Sequence, residues 1–368
     1  MRLLNYSDVK HLIIGATILG VGGGGDPDRG FKLLCEDLNC GRSLKLCSFD
    51  ELNLDSHVAT PYFAGSIPSP KSKSSRKSFT EDVMLKALKI LEGVLGFRLE
   101  GFVATEIGGG NTAIALHLAS ILNLPLLDGD QAGRSVPELT HSTYYLNGLS
   151  LAPSVIASPH GDYIIFKEYS SINNYEGIVR GIASQVSGSV FVIDSPVKVD
   201  VARRVAINGS VSRAIEIGEV VDEAKSKGLD VASKIAEKLN GYVIFEGVID
   251  RYELNEVEGF LIGNVYVKGF GKHASSTLRI WVKNENIFAW IDEEPIAMPP
   301  DLIIMLNEDG YGVVNSKINV GMKVKIVVAP GPREWRTPRG LEIIGPRSFN
   351  LNYDYKPVEL LVKERHLT

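Results

Sequence analysis

The sequence predicts an α/β N-terminal domain with a mainly parallel sheet, followed by a β-rich α+β C-terminal domain. Three observations carry that prediction. In the first 165 residues, short apolar runs alternate with helical stripes, the order of a sheet built from strand–helix–strand units. After Gly241 the chain changes to strand patterns separated by Gly, Asn and Asp turns. A length of 368 residues also exceeds what one typical core organises. Two domains are expected, 1–165 and 166–368.

In the first domain, Ser7-Asp8 can cap a helix whose apolar positions Val9, Leu12, Ile13, Ala16, Ile18 and Leu19 form a broad stripe. The run Gly22-Gly23-Gly24-Gly25 follows. A second helix then opens with Asp26 as N-cap, Pro27 at its first position and Asp28 in its first turn. The glycines therefore sit between two helices, which argues against a dinucleotide fingerprint, whose glycines follow a strand. They leave backbone N–H groups beside a helix N-terminus, so Gly23, Gly24, Gly25 and Asp26 become candidates for binding a substrate carbonyl or anion. Close approach of two backbones explains the same glycines equally well.

Residues 43–49 and 57–64 read as strands, and 65–79, rich in Ser, Pro and Lys, as a long loop of the kind that covers a site. A basic run inside it, Lys71 to Lys77, reads as a solvated segment. A helix over 81–95 and a strand over 101–105 follow. The strand ends in Glu106-Ile-Gly-Gly-Gly110-Asn111, ahead of a helix over 112–122. That order makes a ligand-facing loop and nominates Glu106, Gly109, Gly110 and Asn111. The next strand, 124–127, runs into Asp128-Gly-Asp130, followed by Gly133, Arg134 and Glu138. If the two strands are parallel neighbours, as successive strands of such units commonly are, Glu106, Asp128 and Asp130 converge. The competing reading is plainer: Asp128 caps a turn, and Arg134 pairs with Glu138 on the surface.

In the second domain, 171–187 reads as a helix, 190–194 as a strand, and 198–239 as mostly helical with a break at 228–230. Strands are expected at 241–250, 258–268, 277–283, 287–291, 302–306 and 322–329. A late loop, 329–340, sets Arg333, Arg336 and Arg339 beside Trp335 and between prolines, which reduce the entropy lost on ordering it. Either it is an interdomain contact, or Arg336 holds a substrate carboxylate; both stay open.

Bulk properties narrow the class. A net charge of -5 argues against general nucleic-acid binding, which needs a basic face. No stretch is long enough and apolar enough to span a membrane, and the apolar run at 12–21 lacks the pattern of a cleaved leader, so a cytoplasmic protein is expected. Cys35, Cys40 and Cys47 fit no zinc spacing and read as free thiols. The seven histidines form no ligand motif. His117, mid-helix, reads as a core residue, whereas His141 can join the acidic group. A divalent metal is left open as cofactor, with Asp128, Asp130 and His141 as the candidate ligands and Mg²⁺ or Mn²⁺ as the ions that suit them.

Four segments together resemble one family: Ile18 to Pro27, Glu106 to Asn111, Asp128 to Glu138, and Gly345-Pro-Arg347-Ser-Phe349. The chain is similar to the S-methyl-thiohydantoin desulfurase-like proteins, a former domain of unknown function associated with hydantoinase and oxoprolinase systems. The similarity covers nearly the whole chain, including Asn284-Glu285-Asn286 and Pro300-Asp301-Leu302. It implies an α/β domain, a β-rich domain, and chemistry on a small cyclic amide or thio-ureide ring. Such chemistry needs a base for water, a proton donor, and stabilisation of a tetrahedral intermediate. Asp128 or Asp130 can be the base, directly or through a metal, and Glu106 a donor with a raised pKa. Arg134 and glycine N–H groups can hold developing charge, and Asn111 the ring's amide edge, while Glu138 remains a substrate contact. The other class is a non-catalytic subunit that binds a ring metabolite or a hydantoinase-like partner; association with a second copy also stays open. The chain has no Walker-type loop to drive ATP chemistry itself.

Overall fold

The computed structural model describes residues 1–71, 79–186 and 188–365. Apart from Lys71, the basic run lies outside the described residues. The chain starts with β1 (Arg2–Leu4), α1 (Tyr6–Leu19), α2 (Pro27–Asn39), β2 (Leu44–Cys47), β3 (His57–Gly65) and α3 (Glu81–Leu95). Then come β4 (Gly101–Ala104), α4 (Asn111–Ile121), β5 (Pro125–Asp130), α5 (Thr143–Leu146), β6 (Ser154–Ala157) and β7 (Tyr163–Phe166). They are followed by α6 (Ile172–Gln185), β8 (Ser189–Lys198), α7 (Val199–Val205), β9 (Ile207–Asn208), α8 (Ser210–Ser226) and α9 (Val231–Leu239). Asn5, not Ser7 or Asp8, caps α1. Its side chain accepts from the backbone N–H of Ser7 and Asp8, and the Asp8 carboxylate returns to the N–H of Asn5. This reciprocal box satisfies more of the helix's orphan donors than a cap at Ser7 would. Asp26 and Pro27 open α2 as read.

The first sheet has strand order β1-β2-β5-β4-β3-β8-β6-β7, with β9 added to β5. Its centre, β2, β5, β4 and β3, is parallel, and the flanks are antiparallel. The expected adjacency of β4 and β5 is present. The expected division at residue 165 does not coincide with the sheets: β8 pairs with β3 and β6 inside the first sheet. Helices α8 and α9 also contribute Val211, Ala214, Ile215 and Ile235 to that sheet's core. Sequence alternation cannot reveal this, because an antiparallel insertion and an independent strand have the same period.

The second sheet comprises β10 (Tyr242–Val257), β11 (Phe260–Gly269), β12 (Thr277–Lys283), β13 (Glu285–Ile291), β14 (Glu294–Ala297), β15 (Leu302–Asn307) and β16 (Lys323–Ala329). It is antiparallel throughout, in the order β14-β13-β12-β11-β10-β16-β15. Helices α10 (Pro338–Ile344) and α11 (Val358–Glu364) close the chain. Strand β14, four residues in length, is absent from the sequence reading. The two sheets are not separate bodies. Leu302, Ile304, Leu306, Val327 and Ala329 of the second enter the same apolar cluster as α1, α4 and α8. Their alternating neighbours Ile303, Met305, Ile326 and Val328 fill the second sheet's own core. One strand pair thus serves two cores, as the period of two in a strand allows.

Candidate active site

A cavity of about 410 Å³ opens past the carboxyl ends of β3, β4 and β5, where an open α/β sheet offers its ligand crevice. Its floor is glycine. The carbonyl of Gly24 accepts from the N–H of Gly110 (2.8 Å) and Asn111 (3.1 Å). A Cβ on Gly24, whose φ is +76°, would lie 2.5 Å from Gly108 Cα and 2.3 Å from Ser135 Oγ. The two glycine segments therefore cross backbone on backbone, and no larger residue fits. Gly23, Gly24, Gly25 and Gly110 line the cavity, while Gly109 packs on Pro27 and Thr17 beneath it. Asp26 sits on the rim, where its carboxylate is bound by Lys317 at 2.6 Å.

Glu106 reaches the cavity just beyond β4 and is buried. Oε1 accepts from Asn111 Nδ2 (2.8 Å) and Oε2 from the backbone N–H of Val136 (2.9 Å). Burial raises its pKa to about 7 even against those two hydrogen bonds. Asn111 is fixed in turn, since its Oδ1 accepts from the N–H of Phe63 at 3.2 Å.

The carboxyl group that joins Glu106 is Glu285, the first residue of β13 in the other sheet. It is buried against Gly23, where an added Cβ would sit 1.8 Å from its Oε1, and its Oε2 has no hydrogen-bond partner among the described residues. Burial first, and then the charge of Glu106, hold it well above the ordinary carboxylate range. The sequence reading did not nominate it as a site residue. The signal available was an acid flanked by two asparagines at the head of an otherwise apolar strand.

Glu138 also lines the cavity, hydrogen-bonded to Lys283. Burial pushes its pKa up, but His141 and Lys283 outweigh that and keep it below the ordinary value. His141, 3.9 Å from Glu138, is fully buried, and burial lowers its pKa to about 4, so the ring is neutral. At the opposite wall, Gln131 Nε2 donates to Thr60 Oγ1 (2.7 Å) and its Oε1 accepts from Ser142 Oγ (2.6 Å). Beside it, Tyr62 donates to Asp194 at 2.6 Å. Arg180 uses Nη1 and Nη2 on the carbonyls of Gly259 (2.9 Å) and Pro137 (2.5 Å), tying the β10–β11 hairpin to this wall.

Four expected participants lie elsewhere. Asp128 is inside β5, and its carboxylate accepts from the N–H (2.9 Å) and hydroxyl (2.6 Å) of Ser212, capping α8. Asp130 is buried off the cavity, where Oδ2 accepts from the N–H of Ala132 (2.9 Å) and Gly133 (2.6 Å). Neither lines the cavity, because β9 pairs with Gly129 and Asp130 and keeps the chain extended past residue 127. Arg134 is not on the surface with Glu138 and does not line the cavity. Fully buried, it donates to the carbonyls of Ser135, Asn286, Pro300 and Asp301 and bridges the two sheets. Arg336 is also distant: it forms a two-pronged pair with Glu359 and contacts Tyr355. The interdomain contact of the late loop is instead Trp335, whose Nε1 donates to the carbonyl of Ala132 at 2.8 Å.

Among the described residues no three His, Cys, Asp or Glu side chains are grouped to hold a metal. Asp128, Asp130 and His141 are not brought together into a cluster of three, so that set does not fit an ion; Asp128 is held by Ser212, whereas Asp130 is hydrogen-bonded at Oδ2 only. His117 is buried against Asp37 at 2.8 Å, and the three cysteines are free thiols. No described helix is long and apolar enough to cross a membrane.

Residues 7–168 match the family model described as the S-Me-THD-like N-terminal domain, and 170–358 match the S-Me-THD-like C-terminal domain. No curated protein matches the chain significantly. The crystal structure of a protein from Chromobacterium violaceum is similar in fold. It is 20% identical with a TM-score of 0.76, covering 97% of this chain and 100% of that one. The two consecutive matches span both sheets and every wall of the cavity, and the chain belongs to the S-Me-THD-like family.

Proposed function

We propose that the chain is a hydrolase of a five-membered thio-ureide or ureide ring, of the S-methyl-thiohydantoin or hydantoin type, breaking a C–S or C–N bond with water. The observation that carries this reading is the buried carboxyl pair, Glu106 and Glu285, delivered from two sheets into one cavity. Two carboxyl groups in unlike surroundings divide the roles of base and acid. Glu106 accepts two hydrogen bonds that favour its ionised form and has a pKa of about 7, so it takes a proton from water. The water oxygen adds to the sp² ring carbon flanked by nitrogens. Glu285, held protonated, gives its proton to the departing sulfur or ring nitrogen. On an S-methyl-thiohydantoin the carbon–sulfur bond breaks, methanethiol leaves, and the ring carbon becomes a carbonyl as the proton of the added hydroxyl passes to the ring nitrogen. On a hydantoin the carbon–nitrogen bond breaks and the ring opens. The N–H groups of Gly24 and Gly25 donate no hydrogen bond to any described residue and suit the developing oxyanion. The bare glycine floor leaves room for a flat ring.

The test is turnover of S-methyl-thiohydantoin and hydantoin by the purified chain without ATP or partner, followed by thiol release and by loss of the ring. Glu106→Gln should lower kcat at least about a hundredfold with little change in KM. The wild-type kcat/KM should rise through pH 7 as Glu106 ionises while Glu285 stays protonated. Tight ring binding with no turnover would favour the accessory-subunit reading, and full activity in Glu106→Gln would sink the mechanism.

A further inference from the structure

A second depression, of about 820 Å³, lies away from the cavity, where β9, α8 and the proline-rich 330–339 segment meet. Its size is that of a small-molecule site. Arg204, Arg213, Arg333 and Arg339 line it, and Glu334 is the one carboxylate among its lining residues. In a chain of net charge -5, four guanidinium groups around one opening run against the overall charge.

Three of the four have local partners: Arg204 with Asp200 at 2.5 Å, Arg333 with Glu334 at 3.1 Å and Arg339 with Glu342 at 2.8 Å. These arginines are well exposed, so a competing oxyanion displaces the pairs at little cost. Arg213 differs. It is half-buried, and its guanidinium makes no hydrogen bond or ion pair with any described residue. Glu216 and Asp130 act on it only from beyond ion-pair distance. A partly desolvated guanidinium with five donors and no acceptor is costly to maintain, and a bound oxyanion removes that cost. The neighbouring end of α8 is already capped by Asp128 at Ser212, so attraction rests on the arginines rather than on the helix.

We propose that this pocket binds a phosphate-bearing small molecule, with Arg213 as its anchor, and Arg333 from the loop and Arg339 from the start of α10 closing over it. Guanidinium forks match phosphate geometry, and cations spread around an open rim suit a multiply charged group better than a single carboxylate. The site is independent of the ring-hydrolysis reading, since the 130–134 turn separates it from the cavity. Gln131 faces the cavity, whereas Gly133 packs on Pro332 and Ile207 of the second pocket.

The experiment is calorimetric titration of the full chain with inorganic phosphate, pyrophosphate and acetate at one fixed ionic strength. Saturable single-site binding is expected for pyrophosphate, weaker binding for phosphate, and none for acetate. Arg213→Ala should weaken pyrophosphate binding about tenfold or more, and Arg213→Lys less, because it keeps the charge but loses the fork. The double variant Arg333→Ala/Arg339→Ala, at two exposed positions, keeps the test decisive should Arg213→Ala fold poorly. Glu106→Gln should bind pyrophosphate as the wild type does. Absence of saturable binding at millimolar pyrophosphate overturns the proposal. So does unchanged affinity in the folded arginine variants, or equal binding of acetate.

Discussion

Replacing Arg134 by methionine tests whether this residue joins the sheets or takes part in the reaction. The side chain is fully buried. Its Nε donates to Ser135 O (2.9 Å), Nη1 to Pro300 O (3.2 Å) and Asp301 O (3.1 Å), and Nη2 to Asn286 O (3.2 Å). Methionine retains length and apolar volume but donates nothing, leaving those carbonyls short of a partner. Hydrogen bonds from a charged donor contribute about 1.5–3 kcal/mol each, so four give roughly 6–12 kcal/mol. Removing the guanidinium also relieves the desolvation that lowers its pKa to about 10, which offsets part of that sum. Losses on breaking buried charged networks centre on about 3–5 kcal/mol, and about 4 kcal/mol is the expectation here. With an unfolding entropy of about 2.1 cal/mol/K per residue over the whole chain, Tm should fall by about 5 °C. Scanning calorimetry and urea titration measure the loss. At 25 °C the folded variant should keep kcat/KM within about threefold. A Tm within about 1 °C of wild type would refute the structural role. An unchanged Tm with activity lost would return Arg134 to the reaction.

Asp128→Ala should cost about 1 kcal/mol through loss of the α8 cap and leave turnover unchanged, as read by urea denaturation and steady-state rates. Stability should also depend on pH in a set direction. Burial raises Glu106, Asp130 and Asp194 to about 7, so between pH 4.5 and 7 the native state binds more protons than the unfolded chain, and stability falls as pH rises through that window. His141, lowered to about 4, acts oppositely between pH 4 and 6.5, where the unfolded chain holds the extra proton. Glu106→Gln should remove roughly 3 kcal/mol of the fall and stabilise the protein at pH 8; a pH series of denaturation midpoints that is flat, or unaltered by the variant, would contradict this.

Local order was legible in the sequence because it rests on local chemistry. Asp26-Pro27 starts α2, the helix over 81–95 lies where read, and β4 and β5 are parallel neighbours. What the sequence concealed depends on distant partners. Asp128 looked like a residue past a strand end, but β9, much later in the chain, extends the ladder and turns that carboxylate to Ser212. Arg134 looked like a charge stabiliser because carboxylates surround it in sequence. Three of its four acceptors are backbone carbonyls in or beside the other sheet, at Asn286, Pro300 and Asp301, which no spacing discloses. Glu106, Asn111 and the glycine floor were legible, since a strand–glycine–helix order places them; Glu285 was not, since its nearest chemistry lies in another sheet.

Strand β8 has a consequence for how the polypeptide can be divided. The family-level boundary falls between residues 168 and 170, yet β8, some twenty residues beyond it, is wedged between β3 and β6. A gene fragment cut at that boundary would leave the upstream half with two raw sheet edges and the downstream half with an orphan strand, both prone to aggregation. Units recognisable by descent and units able to fold alone are therefore different objects here. Chimeras joined near residue 240, after α9, would spare the first sheet's ladder but still divide the apolar core that β15 and β16 share with α1, α4 and α8.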